Sequence, residues 1–265
     1  MAETFPPMIS IMQRNNHSSL KQLGTFCLGI LLVGCLIQAA GWVKNDRLVF
    51  PDVPEILQAF FRLLSLPATW RKVGVTLLHL TEALAVSSFL GVSIGLTEGL
   101  SPFLRGLLRP LMTFLRSLPM IVLVVIIMVL TRYDRVPLLA SVLFLIPLIS
   151  EAACEGCVRI EPELLDVYRL CSSLNLRVLS RVHLPLMAGY LRQAYANAVG
   201  MGVKMVVSAE YLVQTRNSLG KAIYSSAYFN EYQDIYAYAL LMILLILLVT
   251  SVPRLLARCM AVLKR

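Results

Sequence analysis

The chain has 265 residues, of which 58% are hydrophobic and only 15% are charged, and its mean hydropathy is +0.75. Soluble domains average roughly 45–50% apolar and about 25% charged residues, so this composition excludes an ordinary soluble protein and favours several membrane-spanning segments. The formal net charge of +9 is explained by cations that flank such segments, and no aromatic-basic motif indicates a nucleic-acid partner.

The predicted elements begin with a polar N-terminal cytoplasmic tail over residues 1–21, followed by a membrane domain over residues 22–265. No cleavable signal peptide is predicted, because the first apolar run is too long and no small-residue cleavage site follows it. A bilayer core of about 30 Å needs roughly 20 apolar residues per helix. Segments that meet or approach this length are 22–43, 73–96, 117–131, 136–150, 194–212 and 235–252. We therefore expect an all-α membrane protein of about six transmembrane helices.

Two regions of the first half need separate interpretation. The Pro51-Asp-Val-Pro54 turn precedes an amphipathic stretch over residues 55–66, which predicts a helix lying at the outer membrane interface. The segments 117–131 and 136–150 are shorter than a full span. They predict either two short or tilted spans or a re-entrant hairpin shielded by protein.

The distribution of Lys and Arg favours both termini on the cytoplasmic side, although the loop from residue 44 to residue 72 opposes the rule. The predicted inner set includes Arg105, Arg109, Arg116 and Arg159, and the predicted outer set includes Arg132 and Arg135. Residues 166–185 then form a polar, basic and helix-forming loop on the cytoplasmic side. This loop has the character of a docking surface, because a mere connector between two spans can be much shorter.

This loop resembles the EAA loop of ABC-importer permeases in its acidic start, in the small residue six positions later and in its final Leu184-Pro185. Asp166 stands where that family has Glu, and Ser172 stands where it has Gly. The resemblance implies a coupling helix around residues 163–173, within a coupling loop over residues 160–185, that docks on a cytoplasmic ABC ATPase. The residues assigned to this contact are Glu163, Asp166, Arg169, Ser172, Ser173 and Pro185.

A literal Glu151-Ala-Ala153 also occurs, but its spacing does not fit the coupling motif. The next glycine, Gly156, lies five residues after Glu151 instead of six, and no Leu-Pro follows at the expected distance. We expect this segment to end the fourth span without contacting the ATPase.

Five further segments resemble permeases for nitrate, sulfonates, taurine and thiamine-precursor pyrimidines, and they occur in the family's order. The segments are Phe50-Pro-Asp-Val-Pro54, Leu90-Gly-Val-Ser-Ile-Gly95, Leu115-Arg-Ser-Leu-Pro119, Lys204-Met-Val-Val-Ser-Ala-Glu210 and Ser218-Leu-Gly-Lys221. The resemblance covers roughly residue 50 to the C-terminus. The chain departs from the family at Thr131-Arg-Tyr-Asp-Arg135, where relatives carry an apolar, Gly-containing turn, and this weakens the transfer of a substrate by analogy.

The resemblance implies a type I ABC-importer permease fold with a cytoplasmic coupling helix, in the inner or plasma membrane. Its implied partners are cytoplasmic ATPase subunits, an extracytoplasmic solute-binding protein, membrane lipid and a second permease copy in a homodimer. The implied solute is a small organic molecule or anion, and ATP is bound by the partner subunit, so no cofactor is expected here. The alternative is a secondary transporter that works without an ATPase, which predicts an internal inverted repeat that the sequence does not show.

The fifth span carries the candidate residues for lining a solute path, because charged groups are costly in a bilayer and mark functional or interface positions. Lys204 and Glu210 lie roughly 120° apart on a helix and need not face each other. The alternatives are an ion pair that fixes packing, or a lysine that extends to the headgroups. The candidate path residues are Asn197, Gly200, Lys204, Ser208 and Glu210.

Smaller features have structural interpretations. His79 and Glu82 lie one turn apart and predict a local pair, and Gly91 and Gly95 predict close helix packing. Cys154-Glu-Gly-Cys157 has the spacing of a redox pair or half a metal site, but no second Cys or His pair supports a metal. No phosphate loop, nucleophile elbow or metal-binding His pair occurs, so we expect neither the ATPase itself nor another enzyme.

Overall fold

The computed structural model describes residues 51–159 and 183–263, besides the isolated Gly29, and of residues 252–263 it describes the helical backbone alone. The predicted tail, the span 22–43 and the coupling residues Glu163, Asp166, Arg169, Ser172 and Ser173 lie outside the described residues. Within the described ranges every regular element is helical. The helices are α1 (Val53–Ser65), α2 (Pro67–Leu100), α3 (Pro102–Ser117), α4 (Met120–Leu130), α5 (Val136–Val158), α6 (Leu184–Val213), α7 (Leu219–Tyr228) and α8 (Tyr232–Leu263), and a 3-10 turn spans Tyr133–Arg135.

The short helix α1 confirms the amphipathic helix predicted after the first proline turn. The Asp52 N–H donates to the Glu55 carboxylate at 3.3 Å, which forms part of a capping box, and Pro54 lies in the first turn. One face of α1 buries Ile56 and its neighbours, whereas Phe61 on the other face is 62% exposed. The helix is attached to α8 at its polar end by the ion pair between Arg62 and Asp234.

The centre of the bundle is formed by α2, α5 and α6. Helix α5 is the most enclosed of the apolar helices, since 61% of its most apolar stretch is buried, against 22% for α2 and for α8. Its contact with α2 is close because glycines of α2 face it at successive turns. A Cβ at Gly91 would lie 2.9 Å from Ile149 Cβ, and one at Gly95 would lie 2.6 Å from Ala153 Cβ. The predicted packing role of both glycines is confirmed.

Three helical stretches of the described chain are long and apolar enough to cross a membrane: Pro67–Leu100, Tyr133–Val158 and Tyr232–Ser251. The predicted segments 73–96 and 235–252 correspond to the first and the last. The predicted segment 194–212 lies within α6, whose 30 residues give a length of about 45 Å. Polar residues set α6 apart from the other three helices, and several of them form the site described below.

The boundaries predicted for segment 136–150 were too short. Helix α5 continues for eight residues to Val158, because Glu151 and Glu155 interrupt the apolar pattern without interrupting the helix. Segment 117–131 contains only the 11-residue α4. It follows α3 after a bend of 102°, at Leu118-Pro119, where proline lacks the N–H that a continuous helix would need. The pair α3–α4 is thus a broken span or a re-entrant loop, and the sequence pattern did not predict α3.

Candidate functional site

An exposed, mostly polar stripe runs along one face of α6. Its members recur at intervals of three or four residues, which places them on one side of a helix. Four of them are exposed and Ser208 is half-buried. We call this set the α6 stripe, and it consists of Gln193, Asn197, Met201, Lys204 and Ser208.

Three of the five predicted path residues, Asn197, Lys204 and Ser208, therefore lie together on the α6 stripe. Gly200 lies beside it and is half-buried, and a Cβ there would lie 4.0 Å from Ile246 of α8. Glu210 does not join them, because it is fully buried on a different face of the helix. The path-lining role of these residues remains a prediction.

Glu210 is held by three other parts of the bundle. The Thr76 hydroxyl of α2 donates to Glu210 Oε2 at 2.8 Å, and His79 Nδ1 lies 2.8 Å from Oε1. The Gly220 N–H at the start of α7 donates to Oε2 at 3.3 Å. Thr76 also accepts from the Leu219 N–H at 3.1 Å. The carboxylate thus joins α2, α6 and α7. These hydrogen bonds offset the free-energy cost of burying the carboxyl group, which would be large without partners.

These contacts favour the packing interpretation of Glu210 that the sequence left open, although its partner is His79 and not Lys204. The local pair predicted between His79 and Glu82 is not formed, because His79 lies against Glu210 and Glu82 is exposed. No local pattern indicated the true partner, which lies 131 positions away along the chain.

The tight start of α7 explains the Ser218-Leu-Gly-Lys221 motif. Ser218 caps the helix by accepting from the Lys221 N–H at 3.2 Å. A Cβ at Gly220 would lie 2.5 Å from Glu210 Cβ, so only glycine lets the Gly220 N–H approach the carboxylate. The Ser218-Leu-Gly-Lys221 motif is therefore part of the Glu210 network.

The cytoplasm-proximal part of the α6 stripe lines a cavity of about 190 Å³ between α5 and α6. Gln193, Asn197 and Tyr190 line it from α6, and Glu151 and Glu155 line it from α5. Two acidic residues of α5, of which Glu151 is paired with Arg116, thus lie near this end of the stripe, whereas Lys204 lies farther along it.

The Glu151-Ala-Ala153 segment was expected to end the fourth span, but it lies within α5, which continues to Val158. Glu151 forms an ion pair with Arg116 of α3, and Ala153 is fully buried against α2. Its lack of an ATPase contact remains a prediction. Pro185, the one predicted coupling residue that the structure describes, occupies the first turn of α6, where its missing N–H has no cost.

Cys154 and Cys157 are free thiols on α5. In the part of the chain that the structure describes, no group of three or more His, Cys, Asp or Glu side chains is arranged to hold a metal ion. Cys157 packs instead against Gly99, where a Cβ would lie 2.8 Å from its sulfur. Cys157 thus has a packing role, whereas Cys154 lines a cavity between α3 and α5.

Comparisons with known proteins agree with this architecture. The family profile described as "Binding-protein-dependent transport system inner membrane component" matches residues 87–261, which is well over half of the chain. The bicarbonate transport system permease proteins CmpB of Synechococcus elongatus and of a second Synechococcus strain are each 25% identical over 199 residues, covering 74% of this chain and 68% of theirs.

A solved structure provides a comparison of the fold alone. A chain of the MetNI methionine ABC transporter, in inward-facing conformations, superimposes with a TM-score of 0.60 at 20% sequence identity. The match covers 74% of this chain and 98% of that one. The helices described above therefore follow the arrangement of that transporter's chain.

Proposed function

Because the chain belongs to the family of binding-protein-dependent transport system inner membrane components, we propose that it carries a small anion across the membrane along the α6 stripe. The chain is the multi-pass inner-membrane permease subunit of an ABC importer. Such a subunit works with ATPase subunits and with a solute-binding protein, so we expect a partner to bind the ATP. No observation favours the alternative of a secondary transporter.

The observation that carries this proposal is the position of Lys204. Its side chain is exposed on the α6 stripe, and it forms no ion pair with any residue that the structure describes. It lies about 14 Å from the C-terminal end of α6, and at that depth contact between its charge and the lipid tails would cost free energy. A water-filled path between two permease copies would keep this ammonium group solvated, and it would attract an anion there because the effective dielectric constant inside a narrow path through the bundle is lower than in bulk water.

The solute class is supported by two independent similarities. The two Synechococcus relatives are named as bicarbonate permeases, and the sequence motifs resemble permeases for nitrate, sulfonates and taurine. All of these solutes carry an oxyanion group, which a lysine can pair with directly. A neutral thiamine-precursor pyrimidine is the other candidate, and it would leave Lys204 without a role in binding.

The test is solute uptake by the permease assembled with its ATPase and solute-binding protein in proteoliposomes. Lys204→Met should lower the uptake of bicarbonate, nitrate or taurine by about tenfold or more, because the attraction of a single close charge is worth several kcal/mol in such a site. Lys204→Arg should retain most of it. Arg71→Met, which removes an exposed cation from the outer end of α2, is the matched control and should leave uptake unchanged.

Unchanged uptake kinetics in Lys204→Met would contradict the proposal and reduce Lys204 to a packing or headgroup-directed residue. Uptake of a neutral pyrimidine without uptake of bicarbonate, nitrate or taurine would also contradict the proposal, and it would identify the solute as neutral. Assembly with the ATPase is measured in parallel, so that a loss of uptake is separated from a loss of the complex.

We also propose that two copies of the chain form the pore and that the loop 160–185 couples each copy to an ATPase. The loop's family spacing and its acidic and basic residues support the coupling role, and the half-sized set of predicted spans supports the homodimer. Both assignments are tested by the experiments given in the Discussion.

A further inference from the structure

A second cavity, of about 450 Å³, lies between α3 and α5 and is unusually rich in arginine. We call it the arginine pocket. Its wall contains four arginines and two glutamates, besides uncharged residues. The charged members are Arg105, Arg109, Arg116, Arg159, Glu151 and Glu155. Their formal charges leave an excess of two positive charges within a space that a phosphate-sized group could enter.

Of the four guanidinium groups, Arg116 alone forms an ion pair with the residues that the structure describes, and two of the others remain available to an anion. Arg116 pairs with Glu151 across the pocket, and Arg105 donates to the Glu98 carbonyl oxygen at 3.1 Å. Arg109 and Arg159 form no ion pair with the residues that the structure describes. Arg159 lies over the Tyr190 ring at 5.8 Å, which orients it without neutralising it.

Helix α3, which forms one wall of the pocket, has an apolar surface on the side away from the bundle. Helix α3 buries none of its residues. Its arginines lie on the side toward α5, and the large apolar side chains on the other side are between 50% and 76% exposed. These apolar residues are Phe103, Leu107, Leu111 and Phe114. An amphipathic helix with arginines on one face and Phe and Leu on the other is typical of a segment embedded among lipids.

The pocket also lies at the correct level of the membrane. Its lining includes Val158 and Arg159 at the end of α5, and its arginines belong to the set that the positive-inside rule places on the cytoplasmic side. The cytoplasmic leaflet is the anionic one, and basic pockets between helices on that side bind lipid headgroups. Arginine is also the side chain best suited to hold a phosphate through two parallel hydrogen bonds.

We propose that the arginine pocket binds the headgroup of an anionic phospholipid from the cytoplasmic leaflet, with its phosphate between Arg109 and Arg159. The acyl chains remain in the bilayer beside the apolar face of α3. The bound lipid holds α3 against α5 at the point where the chain bends into α4. This site does not depend on which solute is transported.

The test is lipid retention by the purified permease–ATPase complex, measured by native mass spectrometry after exchange into detergent containing phosphatidylglycerol or phosphatidylcholine. The wild type should retain phosphatidylglycerol in preference to phosphatidylcholine. The double variant Arg109→Gln/Arg159→Gln should bind phosphatidylglycerol about tenfold more weakly, because two phosphate contacts are lost. The control Arg132→Gln/Arg135→Gln removes the same charge from the exposed turn before α5 and should bind like the wild type.

Equal retention by the two double variants would overturn the proposal, and so would equal retention of the two lipids by the wild type. A third arm uses inorganic phosphate at millimolar concentration, which has the charge but no acyl chains. Displacement of phosphatidylglycerol by phosphate alone would identify a site for free anions and would also overturn the lipid assignment. Arg109→Lys/Arg159→Lys, which keeps both charges, should retain most of the lipid and shows that a loss in the glutamine variant reflects charge and not folding.

Discussion

Thr76 links three helices through one hydroxyl. The hydroxyl donates to Glu210 of α6 and accepts from the Leu219 N–H of α7. Thr76→Val keeps the shape of the side chain and removes both hydrogen bonds. The carboxylate then loses a partner, and a buried N–H is left unpaired. We expect the free energy of unfolding to fall by about 2–4 kcal/mol, measured by denaturant titration of the permease in micelles.

The control for this prediction is Thr81→Val on the same helix. Thr81 is exposed, and its hydroxyl donates at 2.9 Å to the Leu78 carbonyl oxygen of its own helix. Its replacement should change the free energy of unfolding by no more than about 0.5 kcal/mol. Equal losses of stability in the two variants would contradict the assigned role of the Glu210 network.

Individual residues of the bundle were predicted from the sequence with mixed success. Glu210 was identified as an unusual charge within a span, and the glycine pair Gly91 and Gly95 was correctly assigned to packing. The pairing of His79 was wrong because a local rule, which favours partners one turn apart, competes with tertiary contacts that no local pattern encodes. The true partner becomes visible only when α2 and α6 are placed side by side.

Among the predicted elements, the coupling segment around residues 163–173, which lies outside the described residues, most needs a direct test. Asp166→Lys or Arg169→Glu reverses a charge at the predicted contact with the ATPase while leaving the spans intact. We expect uptake to fall by about tenfold or more while the ATPase still hydrolyses ATP, because like charges across an interface cost several kcal/mol. The measurement is uptake and ATP hydrolysis by the same proteoliposomes. Wild-type uptake in both variants would refute the coupling assignment.

Cysteine crosslinking locates the contact independently. In the assembled complex Ser173→Cys should crosslink to the ATPase, whereas Ala152→Cys, within the Glu151-Ala-Ala153 segment of α5, should not. The two variants form a matched pair, since each adds one thiol to the same chain. The opposite result would place the coupling contact in α5 and would show that the loop 166–185 was aligned wrongly.

The elements themselves were predicted unevenly, for physical reasons. Long apolar runs identified α2 and α8 because a span must satisfy its hydrogen bonds internally and bury apolar side chains. Helix α3 was missed because its arginines lie on one face and its apolar residues on the other. The arginines lower the average hydropathy of the segment below that of a span. The end of α5 was placed too early, since Glu151 and Glu155 face cavities and not lipid.

At the scale of the whole molecule, the prediction is that two identical copies form one transporter. A single copy would leave Lys204 on an exposed face at depth, and pairing the α6 stripes of two copies around a water-filled path removes that cost. Two differently tagged copies expressed together with the ATPase should therefore co-purify, and native mass spectrometry should show two permease chains per complex. A complex that contains one copy, or one copy beside a different permease, would contradict the homodimer.

The close packing of three α2 glycines against α5 limits which substitutions this transporter can accept during evolution. At Gly91, Gly95 and Gly99 a single added methyl group collides with α5, so replacement of any of these glycines requires a compensating change on α5. The side chains of the α6 stripe are mostly exposed in the described chain, so they meet no such neighbour within it. Under the proposed path-lining role, new solute preferences can thus arise by single mutations in the stripe, while the interlocked pair of helices preserves the scaffold that those mutations need.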